Sequence, residues 1–293
     1  MAKRNIIHNN FGLILFALPA LLLILFMSEI PFVMNVLYSF TKWNGLAKVP
    51  TFIGFDNFRE ALGDLNFQSA LVFTFKYSIF YVILTNIIAI SLALILDKPL
   101  RSKNFFRTVF FLPNVIGLII IGFMWRFIFS RGFEAFFNLT HWGFFNWSWL
   151  GSYQLAWISL VLVSVWQSVG YMMIIYIAGL QSIPVDVLES AEIDGAGGFQ
   201  KILKIILPLL MPAVTISVFL TIANGLKVFD IIYALTGGGP GNSTTSIAIN
   251  IYRESFQNNR YGFGTAEAVI FFVVILAITI LQIQSFKKME VEL

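Results

Sequence analysis

Residues 181–208 read QSIPVDVLESAEIDGAGGFQKILKIILP, and they lie between two long apolar runs. Asp186, Glu189, Glu192 and Asp194 fall within nine positions, and Lys201 and Lys204 follow. Pro184 opens the segment and Pro208 closes it. Glu189 and Glu192 are three apart, so a helix sets them on neighbouring faces. Val185, Leu188 and Ala191 share that spacing and form a candidate apolar stripe. Gly195, Gly197 and Gly198 oppose helix continuation and predict a turn. Beyond them Phe199, Ile202, Leu203 and Ile206 return to helical spacing. The expected unit is a short helix, a glycine turn and a second helix that enters a membrane. An ordinary solvated loop accounts for the charge spacing alone. The stripe, the glycine turn and the bracketing prolines together favour a docking element.

The whole chain supports a membrane setting. Of its 293 residues 58% are hydrophobic and 12% charged, where a soluble domain carries about 25% charged residues. Phenylalanine alone occupies 32 positions. With no cysteine there is no disulfide and no thiolate metal site. His8 and His141 lie too far apart in sequence for a histidine cluster, so no metal site is expected. The net charge of +4 needs no nucleic acid to explain it, because basic residues at a cytosolic membrane boundary have the same effect.

Six apolar runs are long enough to cross a core of roughly 30 Å at about 1.5 Å per residue. They are expected at 11–38, 70–96, 108–128, 155–180, 205–235 and 263–283. The first has no convincing small-x-small cleavage site and is read as a retained span rather than a signal peptide. Pro31 predicts a kink in it, and Glu29 is read as lying near the outer headgroups. Residues 53–62 (IGFDNFREAL) predict a turn and a short amphipathic helix. Residues 246–260 predict another, following the tight turn TGGGPGNSTT at 236–245. That glycine-rich turn is no phosphate loop, because no Gly-Lys-Ser/Thr ending and no strand pattern accompany it. Lys76 is placed to extend outward from the start of the second span.

Six spans put both termini on one side. The ends and even-numbered turns hold Lys3, Arg4, Lys98, Arg101, Lys103, Arg107, Lys201, Lys204, Lys287 and Lys288. The other side holds Lys42, Lys48, Arg59, Arg131, Arg253 and Arg260. This bias predicts cytoplasmic termini and a cytosolic 181–204 segment.

No catalytic set emerges: there is no Walker lysine, no metal cluster and no nucleophile elbow. Uphill transport would need an ion gradient or an energised partner on the cytosolic face. The polar residues within spans are Asn86, Gln167, Tyr171, Asn224, Lys227, Asp230 and Glu267. Such groups face a bundle interior or a wet cavity rather than lipid. Lys227 and Asp230 are expected to pair across one helical turn. Each residue alone fits a helix-to-helix hydrogen bond equally well. As a group on spans four and five they point to a pathway. Trp166, Tyr171 and Phe229 are candidate platforms for the apolar C–H faces of sugar rings.

The polar segment resembles the cytosolic signature EAAxxxG…IxLP of membrane subunits of binding-protein-dependent ABC importers. Here it stands as Glu189-Ser190-Ala191, Gly195, then Ile205, Leu207 and Pro208, with Ser190 in place of the usual second alanine. Residues 176–200, FFRTVFFLPN at 105–114, WRFIF at 125–129 and GGGPGNSTT at 237–245 are similar to the carbohydrate branch of these permeases, nearest its first-permease subunits. They show no large extracytoplasmic insertion of the kind found in the maltose system's equivalent subunit.

The resemblance implies an all-α polytopic permease of the type I importer fold. It implies one permease domain over 1–293, a five-helix family core at 70–285 and a coupling segment at 181–204. It also implies a second homologous permease, two ATPase subunits carrying the ATP and Mg, an extracytoplasmic solute-binding protein and a carbohydrate substrate. Glu189, Ala191, Asp194, Gly195, Ile205, Leu207 and Pro208 would couple to the ATPase. Gln167, Tyr171, Asn224, Lys227 and Phe229 are the candidate pathway. Two rival classes are an ion-coupled secondary transporter, which usually carries internal repeats, and a structural membrane protein without a pathway. A permease for glycerol-3-phosphate or another polar solute would share most of these motifs.

Overall fold

A computed structural model describes residues 15–287, with side chains to residue 286. The expectations that rest on Lys3, Arg4, His8, the Lys287 side chain and Lys288 lie outside that description. Among the described residues helices dominate, and the strands are the antiparallel pair β1 (Thr41–Lys42) and β2 (Thr51–Phe52).

Four unbroken helices are long and apolar enough to cross a membrane. They are α1 (Leu15–Ser39), α3 (Leu65–Leu96), α6 (Tyr153–Gln181) and α12 (Tyr261–Lys287). Between α1 and α3 lies α2 (Asp56–Gly63), the amphipathic helix read at 53–62. At Pro31 the helix is not interrupted: α1 runs on through a wider π-turn at Leu25–Glu29, just ahead of the proline. A proline ring clashes with the carbonyl four residues back and offers no N–H, and a π-turn relieves both within one helix.

The third and fifth runs are not continuous spans. The third is α4 (Lys103–Val115) and α5 (Leu118–Thr140), bent by 97°. Pro113 sits in the last turn of α4, and Ile116 and Gly117 turn extended. The fifth run breaks twice. Helix α8 (Gly198–Leu209) meets α9 (Met211–Leu226) at 72°, where Pro208 and Pro212 remove two backbone donors around Leu210. Helix α9 then ends at Leu226, and α10 (Asp230–Leu235) starts after three non-helical residues. Six spans result when each bent pair counts as one. The helix read at 246–260 is α11 (Ile247–Tyr252), continued by a π-turn at Arg253–Gln257.

Two compact units divide the chain. One comprises the described residues up to Asp64 together with Ile251–Phe272. Arg260 joins Glu60 and Glu254 there and lies 3.9 Å from the Phe263 ring centre. The Trp43 carbonyl accepts from the Gly262 amide at 2.9 Å.

The other unit comprises Leu65–Asn250 and the residues from Val273 onward. Its centre is α3 against α6, with α4 laid along α6. That approach is close: a Cβ at Gly170 would strike the backbone carbonyl of Phe110. Asn86 ties three helices together. The Tyr176 hydroxyl of α6 donates to its Oδ1 at 2.5 Å, and its Nδ2 donates to Thr221 of α9 at 2.9 Å. Asn86 is therefore a helix-to-helix tether.

Candidate functional site

Two of the three breaks in the apolar runs, at Ile116–Gly117 and at Lys227–Phe229, meet the polar face of α6. That face carries Ser164, Gln167, Ser168 and Tyr171, at spacings of three, one and three residues. Tyr77 and Tyr81 approach from α3, and Asn114 and Leu118 from the bend between α4 and α5. Asn224 comes from the end of α9, and Lys227, Val228, Phe229 and Asp230 from the gap before α10. Together these residues line a cavity of about 270 Å³. Irregular backbone at membrane depth survives where it lines a cavity, because free N–H and C=O groups find no partner in lipid.

A hydrogen-bond relay sets the wall. The Tyr81 hydroxyl donates to Ser168 Oγ at 2.7 Å, and Ser168 Oγ donates to Gln167 Oε1 at 2.9 Å. With that oxygen engaged, the Gln167 amide nitrogen is the group left to donate. Lys227 and Asp230 bring one charge of each sign, but the expected pair does not form. No ion pair links them among the described residues, because the helix that would space them by one turn stops at Leu226. Asn224 and Lys227 remain exposed, and Tyr171 is 41% exposed.

All five candidate pathway residues, Gln167, Tyr171, Asn224, Lys227 and Phe229, line this one cavity. Trp166 does not. It packs edge-on against Trp125 at 5.5 Å and faces a separate apolar groove, because a neighbouring position on a helix points about 100° away. Asn86 and Glu267 are buried and line no part of the cavity. Sequence reasoning missed Tyr77, Tyr81, Ser164, Ser168 and Asn114. The four-residue spacing of Tyr77 and Tyr81 matches that of Gln167 and Tyr171, and was the available signal.

The polar segment forms the expected helix, turn and helix. Helix α7 (Val185–Ile193) ends in a Schellman motif: the Ala196 amide donates to the Ala191 carbonyl at 3.0 Å and the Gly195 amide to Glu192 at 3.1 Å. Gly195 takes φ +78°, the left-handed geometry such a motif requires. One of the four exposed acids is already engaged within the segment, since Glu192 accepts from Lys201 of α8 at 2.6 Å and braces the turn. Glu189 and Asp194 remain exposed, and Ala191 is buried. Val185, Leu188 and Ala191 do not form one buried stripe, for Val185 is 63% exposed. Ile193 and Phe199 are also exposed large apolar groups on this segment. Ile205, Leu207 and Pro208 are half-buried in α8, where a π-turn at Ile202–Ile206 precedes Pro208.

A multi-pass bundle with a polar cavity at helix breaks and a capped polar helix-turn-helix between spans defines a membrane transport subunit. The chain belongs to the binding-protein-dependent transport system inner membrane component family, whose model matches residues 85–290. It is 40% identical over 294 residues to the probable starch degradation products transport system permease protein AmyD of Thermoanaerobacterium thermosulfurigenes, covering 100% of both chains. It is 34% identical over 291 residues to the multiple sugar-binding transport system permease protein MsmF of Streptococcus mutans, covering 99% of this chain and 100% of that one. Its fold matches a chain of the bacterial alginate ABC transporter solved with an alginate pentasaccharide-bound periplasmic protein, at TM-score 0.81 and 22% identity, covering 95% and 94%.

Proposed function

We propose that this chain is a permease subunit of an ATP-driven importer for carbohydrate, oligosaccharide in particular. The observation that carries this reading is the central cavity. Its amides, hydroxyls and aromatic rings offer both hydrogen bonds and apolar faces, as a sugar ring requires. The AmyD and MsmF names, which speak of starch products and sugars, support the same substrate class. Gln167 and Asn224 would bond hydroxyls, Tyr171 and Phe229 would stack on the ring, and Lys227 would donate to its oxygens.

Substrate arrives from an extracytoplasmic solute-binding protein. The pathway forms with a second, homologous permease. Two separate ATPase subunits bind ATP and Mg, and this chain hydrolyses none. Helix α7 and its glycine turn seat on an ATPase, with Glu189 and Asp194 as charged contacts and Val185, Ile193 and Phe199 as apolar ones. Exposed apolar groups clustered on a polar segment fit such an interface. Ile205, Leu207 and Pro208 carry the motion into α8. The basic bias supports a cytosolic α7 and cytosolic termini. Lys227, which has no ion-pair partner among the described residues, favours one second reading: an anionic solute such as glycerol-3-phosphate.

The test is uptake into vesicles holding this chain, its partner permease and both ATPases, with the solute-binding protein outside. Labelled malto-, galacto- and fructo-oligosaccharides are compared with glycerol-3-phosphate. ATP-dependent accumulation of an oligosaccharide is expected. Accumulation of glycerol-3-phosphate alone would select the second reading.

A further inference from the structure

A second cavity of about 640 Å³ lies in the same unit, at the starts of α3 and α6 and against the loop after α10. Its volume falls within the roughly 300–1,000 Å³ of small-molecule sites. Lys76 and Trp157 form its wall, the ammonium 4.7 Å from the ring centre. Lys76 makes no ion pair among the described residues, and no carboxylate lines the cavity. The quadrupole of the Trp157 ring attracts that charge, and a cation so held favours a ligand rich in oxygen acceptors. Tyr153 lies one helical turn before Trp157, lines the cavity and is 61% exposed. Asn66 and Gln68 add side-chain amides.

A row of stacked, buried rings on α3 lies between this cavity and the central one. Phe73 lines the outer cavity, and Tyr77 and Tyr81 line the central one. Phe73 stacks on Tyr77 at 6.2 Å and 16°, and Tyr77 on Tyr81 at 5.8 Å and 5°. The i, i+4 spacing produces this alignment on one helix face.

We infer that the outer cavity is a second saccharide site, which holds one glycosyl unit on Tyr153 and Lys76 ahead of the central cavity. The inference rests on the carbohydrate reading of the central cavity and extends it. Tyr153 supplies the platform for the C–H face of the sugar. Lys76 donates to ring hydroxyls, or to a carboxylate where the sugar carries one. The two cavities have no lining residue in common, so a chain of several units has a separate site for each of two units and a single ring fills one.

The test measures saccharide binding to the full chain in lipid nanodiscs by saturation-transfer NMR. The probes are maltopentaose, a pentagalacturonate as the acidic counterpart, and glucose. Tyr153→Ala should weaken both pentasaccharides at least fivefold. Lys76→Gln should weaken the acidic probe more than the neutral one. In Asn224→Leu, with the central cavity disabled, pentasaccharide binding should persist and remain sensitive to Tyr153→Ala. Binding abolished by Asn224→Leu and untouched by Tyr153→Ala would overturn the outer site and leave the central one standing. No pentasaccharide binding to the unaltered chain would overturn both. Loss of solute-binding-protein docking in Lys76→Gln, with saccharide binding unchanged, would give the cavity to a protein contact and overturn the inference.

Discussion

Gly195 shows what one residue decides. Its φ of +78° closes the Schellman motif that ends α7, and a built Cβ there meets nothing within 4 Å. The cost of a side chain is therefore conformational, about 1–2 kcal/mol for an L-residue in left-handed geometry. Gly195→Ala should loosen the turn, while Gly197→Ala, at φ −64° with open space around it, should not. Co-purification of the ATPase subunits and the ratio of ATP hydrolysed to sugar imported read the difference. A wild-type ratio in Gly195→Ala would remove the turn from the coupling account. In the central cavity Asn224→Leu keeps volume and deletes both polar atoms, so uptake should fall at least tenfold with complex yield unchanged. Equal uptake would reduce Asn224 to a helix-packing residue. At this scale much of the central site was legible, because Gln167, Tyr171, Asn224, Lys227 and Phe229 stand out as polar or aromatic within apolar runs. Tyr77 and Tyr81 did not, since tyrosines in a Phe-rich span read as ordinary membrane aromatics.

Elements were legible where hydropathy alone defines them. Four spans and the amphipathic helices at Asp56–Gly63 and Ile247–Tyr252 needed only composition and periodicity. The breaks at Ile116–Gly117, Leu210 and Lys227–Phe229 were missed, because the apolar runs continue across them, although Pro113, Pro208 and Pro212 mark the first two. Tertiary packing satisfies the exposed backbone there, and a window of mean hydropathy does not register which carbonyls lose a partner. Two of those breaks, at Ile116–Gly117 and Lys227–Phe229, border the central cavity, so features that escaped the sequence position the site. The tether at Asn86 makes a separate prediction. Interhelical hydrogen bonds in membranes average about 0.6 kcal/mol and reach about 1.7. Asn86→Leu, which deletes two, should lower the thermal midpoint of the detergent-solubilised complex by a few degrees while uptake per assembled complex holds. An unchanged midpoint would show that Tyr176 and Thr221 find other partners at no cost. By contrast Gly170→Leu should abolish assembly, because the obstacle is the α4 backbone at Phe110 rather than a movable side chain. Recovery of normal complex yield in that variant would contradict the close helix approach.

For the whole molecule the account divides labour between a cavity that meets sugar and a capped helix that meets an ATPase. In the proposed orientation residue 240 lies outside and the C-terminus in the cytosol. Reporters fused at those two positions should give opposite signals, and matching signals would break the six-span topology. The purified chain, freed of partner subunits, should release no phosphate from ATP, and turnover that survives repurification would overturn the assignment of ATP to partners. The central claim is that polar groups at the helix breaks pass carbohydrate when α7 is driven by ATP. Its most direct test is initial-rate uptake of a labelled oligosaccharide in reconstituted vesicles, run in parallel for the unaltered complex, Asn224→Leu and Gly195→Leu. The account predicts ATP-dependent uptake in the first. It predicts little uptake in Asn224→Leu despite normal docking, and uptake lost in Gly195→Leu with ATPase docking weakened or hydrolysis continuing unproductively. Unaltered uptake in both variants would contradict it.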